Sequence, residues 1–283
     1  MKYQNNLIVG GGLLGEELNY MIKKNGGNST ILKNIEYNNQ NIIPEKIDTV
    51  FVVAQSSDYK KNPMTKDLLY VNTILPLQIA MQAIEKDVKN FVYFSTGSIY
   101  QNSVNPHKEE EQIEHSTNNP YVATKLSSEI LLNSWKEKFE KLFIFRPFFM
   151  YGSGQNEQQI FPRMINSIKM KEKIQLANNL GLIFNPIHVF DAARFILETV
   201  ENQSGFNIFN IAGKEKISLK DVVDKISKKI GSTGNIEISN ANEATVLGSI
   251  EKMEKINFEF KINMNDGIEE LISKKRNSKL FIS

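Results

Sequence analysis

Tyr121 and Lys125, four residues apart in the run Tyr-Val-Ala-Thr-Lys, put a phenol and an ammonium on one face of a helix. A free tyrosine has a pKa of about 10 and moves protons poorly at neutral pH. A nearby ammonium favours the phenolate, and lowering the pKa by ~3 units takes about 4 kcal/mol of differential interaction. A phenol so tuned gives a proton to, or takes one from, an oxygen whose carbon gains or loses a hydride. The spacing alone does not single out this pair, because Tyr20 and Lys24 repeat it. Tyr20 follows a glycine-rich turn and reads as ordinary helix surface. Pro120 before Tyr121, and Ser127-Ser128-Glu129 after Lys125, distinguish the second pair.

Residues 7–15 read LIVGGGLLG and contain Gly10-x-Gly12-x-x-Gly15 between a strand and a helix. Gly10 permits the tight turn, Gly12 lets backbone approach a pyrophosphate, and Gly15 lets helix and strand pack closely. The phosphates would lie against the helix N-terminus, at the N–H groups of residues such as Leu13 and Leu14. The expected partner is a nicotinamide dinucleotide, whose oxidised ring would also favour the Tyr121 phenolate. Sites that prefer NAD usually carry Asp or Glu at the end of the second strand. Here that strand reads Thr30-Ile31-Leu32-Lys33-Asn34, and the next carboxylate is Glu36. Lys33 stands where a 2′-phosphate would want a cation, which favours NADP(H) and leaves NAD(H) possible. The competing reading of Lys33 is a solvated surface lysine.

Short apolar runs alternate with amphipathic segments of helical length through the first half. Strands are expected at Leu7–Val9, Thr30–Lys33, Thr49–Ala54, Phe91–Ser95 and Leu142–Pro147, with helices at Leu13–Lys24, Asp67–Lys86 and Tyr121–Lys138. Continuous apolar strands alternating with helices imply an α/β fold with a parallel, doubly wound sheet of Rossmann type. Residues 152–185 read as loop and helix, Ile187–Val200 as a strand end and helix, and Phe206–Ile211 as one more strand. Residues 1–151 with 186–213 are the expected dinucleotide-binding domain. Residues 152–185 with 214–283 form the expected smaller, largely C-terminal, substrate-binding lobe.

The chain of 283 residues has no cysteine, which excludes disulfides, thiolate metal sites and cysteine nucleophiles; no metal site is expected. A formal charge of +2 is too balanced for a nucleic-acid partner. No segment reads as a signal peptide or as the ~20 apolar residues of a membrane span, so a cytoplasmic location and no membrane partner are expected.

The segment NPYVATKLSSE resembles the P-Y-x-x-S-K-x-x-x-E signature of extended short-chain dehydrogenases, the NAD-dependent epimerase/dehydratase family. Other pieces similar to that family follow in order. They are Asp48–Ala54, the helix beginning at Asn72, FVYFSTGSIY over Phe91–Tyr100, Arg146–Gly152, Ile187–Asp191, Phe209–Gly213 and Asn265–Glu269. The resemblance implies that Thr96 orients the reacting oxygen towards Tyr121, while Lys125 also holds the nicotinamide ribose. It places Ala54, Gln55, Asn72, Ser95, Pro147 and Phe148 at the cofactor, and it implies a homodimer through Asp67–Lys86 and Tyr121–Lys138. His188 matches a structural position.

Departures from the family pattern narrow the activity. The glycine turn is one residue shorter, and the stretch before Asp48 is too brief for the usual helix and third strand. Gly97 and Ser98 stand where the dehydratase branch has an acid pair, which argues against internal elimination of water. Phe149 and Phe184 replace the usual Asn and Arg at the nucleotide diphosphate of the substrate. Phe149 and Arg163 are the substrate-side candidates. Arg163, Lys169 or Arg194 would meet anions on the ground of charge alone, and each also reads as a surface or capping residue. His107 and His115, in HKEEEQIEH, read as a solvated loop. The leading expectation is an NAD(P)H-dependent reductase of a nucleotide-linked keto sugar, a 4-keto-6-deoxyhexose, in the synthesis of cell-surface polysaccharide precursors. The alternatives are a 4-epimerase with tightly held NAD and a non-catalytic dinucleotide sensor.

Overall fold

The structure is a computed structural model and describes residues 5–33, 41–114 and 117–273. In chain order the first half runs β1 (Asn5–Val9), α1 (Leu13–Lys24), β2 (Asn28–Leu32), β3 (Thr49–Val52), α2 (Lys66–Leu69), a π-helical turn (Tyr70–Ile74), α3 (Leu75–Glu85), β4 (Asn90–Phe94), α4 (Pro120–Asn133) and β5 (Lys141–Pro147). The second half runs β6 (Met150–Tyr151), α5 (Ile160–Met170), β7 (Lys173–Ala177), β8 (Ile183–Phe184), β9 (Ile187–His188), α6 (Val189–Asn202), β10 (Gly205–Ile211), β11 (Ile217–Ser218), α7 (Leu219–Ile230), β12 (Asn235–Ser239), β13 (Thr245–Val246), α8 (Glu251–Lys255) and α9 (Met264–Ser273).

The chain divides into two compact units. The first comprises Met1–Gln101, Glu109–Pro147 and Ala193–Asn210. Its six-stranded sheet has the order β10-β5-β4-β3-β1-β2, and β2, β1, β3, β4 and β5 pair in parallel. The apolar runs Leu7–Val9, Val50–Val52, Phe91–Tyr93 and Leu142–Phe145 are fully buried, because helices cover both faces of a parallel sheet. Leu14, Leu18, Met21 and Ile22 of α1 turn inward at helical spacing. The second unit comprises Asn102–Lys108, Phe148–Ala192 and Ile211–Ser283. Its core gathers α5, α7 and α9 around Phe161, Ile168, Val222, Val223 and Ile268. A capping box at Ser218 and Asp221 starts α7, and Gly231 in the left-handed conformation ends it.

The structure shifts several expected elements. The helix expected over Asp67–Lys86 contains the π-helical turn at Tyr70–Ile74, where Asn72 is fully buried. The helix expected to reach Lys138 ends at Asn133, followed by a short 3₁₀ turn over Lys136–Lys138. Ser134 is the C-cap of that helix, and its hydroxyl donates to the Leu131 carbonyl at 2.6 Å. Residues 152–185 hold strands as well as a helix. β7 has the alternation of a half-buried strand, with Ile174 and Leu176 inward, and pairs in parallel with β12. His107 and Glu109 are buried, against the expected solvated loop. The His107 N–H donates to the Leu247 carbonyl at 2.8 Å, and the His107 carbonyl accepts from Ser249 at 2.7 Å. His115, Asn34 and Glu36 lie outside the described residues. Among the described residues, none of the helices is long and apolar enough to cross a membrane.

Candidate active site

The end of β1 is shaped by glycines. Gly10 has φ +115°, and a Cβ there would lie 2.7 Å from the Ala54 nitrogen. A Cβ on Gly15 would run into the Gly10 carbonyl, so strand and helix meet there without a side chain. Gly12 is the N-cap of α1, with no side-chain cap and open space where a Cβ would stand. The first N–H groups of a helix have no partner within it. An uncapped, open helix start beside a glycine turn therefore suits a pyrophosphate, and the residues fit a dinucleotide. Leu14 is buried by its side chain, so only its backbone is available for that purpose.

Lys33 does not stand by itself at the end of β2. Its ammonium lies 2.5 Å from Glu16 in the first turn of α1, and its alkyl stem crosses Gly11. The pair is half exposed and lies on the glycine turn itself.

The ends of β3 and β4 gather side chains. Asn119 caps α4 by accepting the Tyr121 N–H at 3.0 Å, and Pro120 opens the helix. This sets Tyr121 in the first turn and Lys125 one turn deeper. Thr96 follows β4, and its hydroxyl accepts the Ser98 N–H at 3.1 Å. Thr96 and Tyr121 also share a side-chain hydrogen bond. Burial raises the Tyr121 pKa above that of a free tyrosine, and the bond to Thr96 pulls it part of the way back. The Gln55 carboxamide oxygen is 3.5 Å from the Tyr121 hydroxyl.

Lys125 does not lower the phenol in this structure as the spacing led us to expect. Its amine donates to the Phe94 carbonyl at 2.9 Å and the Ala54 carbonyl at 3.2 Å, and it lies over the Tyr93 ring at 5.2 Å from the centroid. Burial brings its pKa down to about 7, partly opposed by Glu129 one turn further along α4.

Asn72 is spent on structure: its carboxamide accepts the Ser56 N–H at 3.2 Å and donates to Thr124 at 3.1 Å. It fixes the loop after β3 to α4. The Ser95 hydroxyl is buried without a hydrogen-bond partner beside Thr96, a polar atom that a ligand would satisfy. Pro147 ends β5 in the first unit. Phe148, Phe149 and Arg163 belong to the second. Phe148 packs on Gly248, and the Phe149 ring meets Phe184 edge-on at 5.0 Å, so the two phenylalanines form one apolar contact. Arg163 and Lys169 are exposed on α5, and Arg194 is paired with Glu198 at 3.0 Å. His188 is buried with its Nε2 3.3 Å from a Glu270 oxygen, and its Nδ1 accepts the Phe190 N–H. Tyr20 is exposed on α1.

Sequence reasoning missed a buried network behind α4. Arg146 meets Glu129 through two nitrogens, the closest at 2.7 Å, and donates to the Tyr100 hydroxyl at 2.7 Å. Tyr100 donates in turn to Asn210 at 3.0 Å, and the Asn210 N–H donates to Glu109 at 2.8 Å. Tyr100, Glu129 and Arg146 each lie in a motif legible in the sequence, but nothing there tied them together. Sequence reasoning also missed Tyr59, whose ring lies 6.1 Å from that of Tyr121. Among the described residues, no group of three or more His, Asp or Glu side chains could hold a metal ion.

A model of the NAD dependent epimerase/dehydratase family matches residues 8–212. The chain is 28% identical over 238 residues to dTDP-D-glucose 4,6-dehydratase of Dictyostelium discoideum, covering 78% of this chain and 52% of that one. It is 25% identical over 188 residues to dTDP-4-dehydro-6-deoxyglucose reductase of Escherichia coli, covering 63% of this chain and 58% of that one. The chain thus spans about half the length of these curated relatives. Among solved structures it resembles MoeE5 in complex with UDP-glucose and NAD, with a TM-score of 0.82 and 19% identity over 97% of this chain and 99% of that one.

Proposed function

The chain belongs to the NAD dependent epimerase/dehydratase family, and we propose that within it the protein is an NAD(P)H-dependent reductase of a nucleotide-linked keto sugar, a 4-keto-6-deoxyhexose in cell-surface polysaccharide precursor synthesis. The observation that carries this reading is the hydrogen bond between Thr96 and Tyr121, with Gly97 and Ser98, not an acid pair, next to Thr96. A bound nicotinamide dinucleotide supplies the hydride. Gly10, Gly12 and the start of α1 hold its phosphates, with Ala54, Gln55 and Ser95 along the strand ends. Thr96 and Tyr121 hold the substrate oxygen, and Tyr121 gives it the proton. A phenol kept protonated by burial suits a donor in a reduction. Lys125, with a pKa near neutrality, replaces that proton. Lys33 meets the 2′-phosphate of NADP(H) after exchanging its partner Glu16.

The first unit carries the dinucleotide and the second the nucleotide sugar. Leu69, Ile74 and Met81 in the 66–85 helical segment, with Ile130 and Leu131 on α4, are exposed apolar residues that support a homodimer through these helices. The names of relatives that share a 4-keto or 4-dehydro sugar chemistry support the substrate class.

The test is to mix the protein with dTDP-4-dehydro-6-deoxyglucose and NADPH, or NADH, and follow the absorbance of reduced nicotinamide. Substrate-dependent oxidation, faster with NADPH, is expected. No oxidation, with NAD retained until denaturation, would replace the reductase by a 4-epimerase.

A further inference from the structure

The chain leaving β3 is a hook held at several points by hydrogen bonds. The Ser56 N–H is held by Asn72 at 3.2 Å, and the Ser56 hydroxyl donates to Asp67. That hydroxyl also accepts the Asp58 N–H at 3.0 Å. Lys61 closes the turn, its N–H reaching the Asp58 carbonyl at 2.7 Å and its ammonium the Asp58 carboxylate at 2.8 Å. Thr65 then caps α2 by accepting the Leu68 N–H at 3.1 Å. Between these anchors stands Tyr59, half-buried on irregular backbone, with Lys60 over its ring at 5.3 Å from the centroid.

The hook brings the Tyr59 ring against Tyr121, centroids 6.1 Å apart and planes at 67°. The two phenols are close enough for charge on one to raise the pKa of the other. A substrate oxygen served by Tyr121 must come within about 2.6–3.2 Å of its hydroxyl. The sugar ring bearing that oxygen then extends into the space both phenols border. An aromatic ring offers such a sugar an apolar surface, and a phenol adds a polar tip.

We propose that Tyr59 is a substrate-contacting residue of this site. It is the wall on which the keto sugar rests while its carbonyl meets Tyr121, and it screens that phenol from water. The inference rests on the reading of Tyr121 as the proton donor.

Ultraviolet difference titration tests the screen without any substrate. The unchanged protein minus Tyr121→Phe reports ionisation of Tyr121, and the same subtraction in a Tyr59→Ala background reports it without the wall. Removing the ring admits water and removes the like-charge neighbour, so the midpoint should fall. In parallel, KM for dTDP-4-dehydro-6-deoxyglucose should rise roughly tenfold in Tyr59→Ala, the scale of a lost aromatic anchor. The dissociation constant for NADPH, read by nicotinamide fluorescence, should stay within about twofold. Tyr59→Phe keeps the ring but not the charge, so its midpoint should fall less than that of Tyr59→Ala while most of the affinity is kept, and Tyr59→Leu replaces the alanine variant if that one does not fold. An unmoved midpoint, an unmoved KM, or an equal loss of NADPH affinity overturns the proposal. Full turnover by Tyr121→Phe would instead overturn the reductase reading. A dead Tyr121→Phe beside a wild-type-like Tyr59→Ala would overturn the wall alone.

Discussion

At the end of β1 the chain presents backbone: a glycine at φ +115°, an uncapped helix start and open space at Gly12. At the end of β4 it presents side chains: Thr96 and Tyr121, each fixed by a local capping hydrogen bond, and Lys125, bound to the end of β4. The first region works by what it omits, since any side chain on Gly10 or Gly15 would collide with main chain. The second works by support, since Asn72 and the Glu129–Arg146 pair fix α4 from behind. Binding surfaces for phosphate need exposed N–H groups, whereas proton transfer needs a group kept in place and away from water.

The comparison predicts different failures in the two regions. The largest effect is expected from Tyr121→Phe, which should lower kcat by about 10²- to 10⁴-fold. Its dissociation constant for NADPH should stay within about twofold of the unchanged protein, and a matching loss of affinity would show that the regions are not separable. Next, Glu129→Gln leaves the buried Arg146 without its carboxylate and should cost about 3 kcal/mol in urea unfolding, with kcat falling as α4 loosens.

At the glycine turn, Gly10→Ala should cost about 2–3 kcal/mol of stability through backbone strain. Gly12→Ala should cost under about 1 kcal/mol yet weaken NADPH binding about tenfold or more, because its Cβ enters open space that a phosphate needs. Calorimetry of both variants separates a packing glycine from a binding one.

Lys125→Met tests the support of the second region by pH. The Lys125 pKa is depressed in the folded protein to about 7, from 10.5. Between those values the unfolded chain holds a proton that the native state lacks, so this residue makes stability rise with pH across that window. The melting temperature of Lys125→Met relative to the unchanged protein should therefore be highest near pH 6 and fall by several degrees towards pH 10. The smallest effect belongs to Lys33→Ala. An exposed pair contributes little to stability, so unfolding should shift by less than about 1 kcal/mol. The preference for NADPH over NADH should fall by about tenfold or less, the scale of one exposed charge at a phosphate.

Backbone-made features were legible in the amino-acid order. The helix Leu13–Lys24 lies where the Gly10–Gly15 turn places it, because glycine punctuation is local. The buried strands were legible because a run such as FVYF has no polar face to leave outside. What depends on distant partners was not. The π-helical turn at Tyr70–Ile74 coincides with the burial of Asn72 against Thr124, 52 residues away. Lys33 reads as a lone cation until α1 brings Glu16 beside it. His107 and Glu109 look like parts of a charged loop, and only main-chain pairing to Leu247 and Ser249, with Asn210, shows why they are inside. Tyr59 gave no signal because its hook is built from Ser56, Asp58 and Lys61, residues ordinary in any loop.

The grip of Lys125 on the Phe94 and Ala54 carbonyls has a consequence for affinity. Those two oxygens belong to the last residue of β4 and to the chain just beyond its neighbour β3, so the side chain clasps the mouth of the sheet shut at one point. A ligand that takes hold of this amine exchanges one pair of hydrogen bonds for another, and its net gain is only the difference. Affinity here is set by a competition internal to the protein: any substitution that weakens the clasp, while sparing the amine, should tighten what binds.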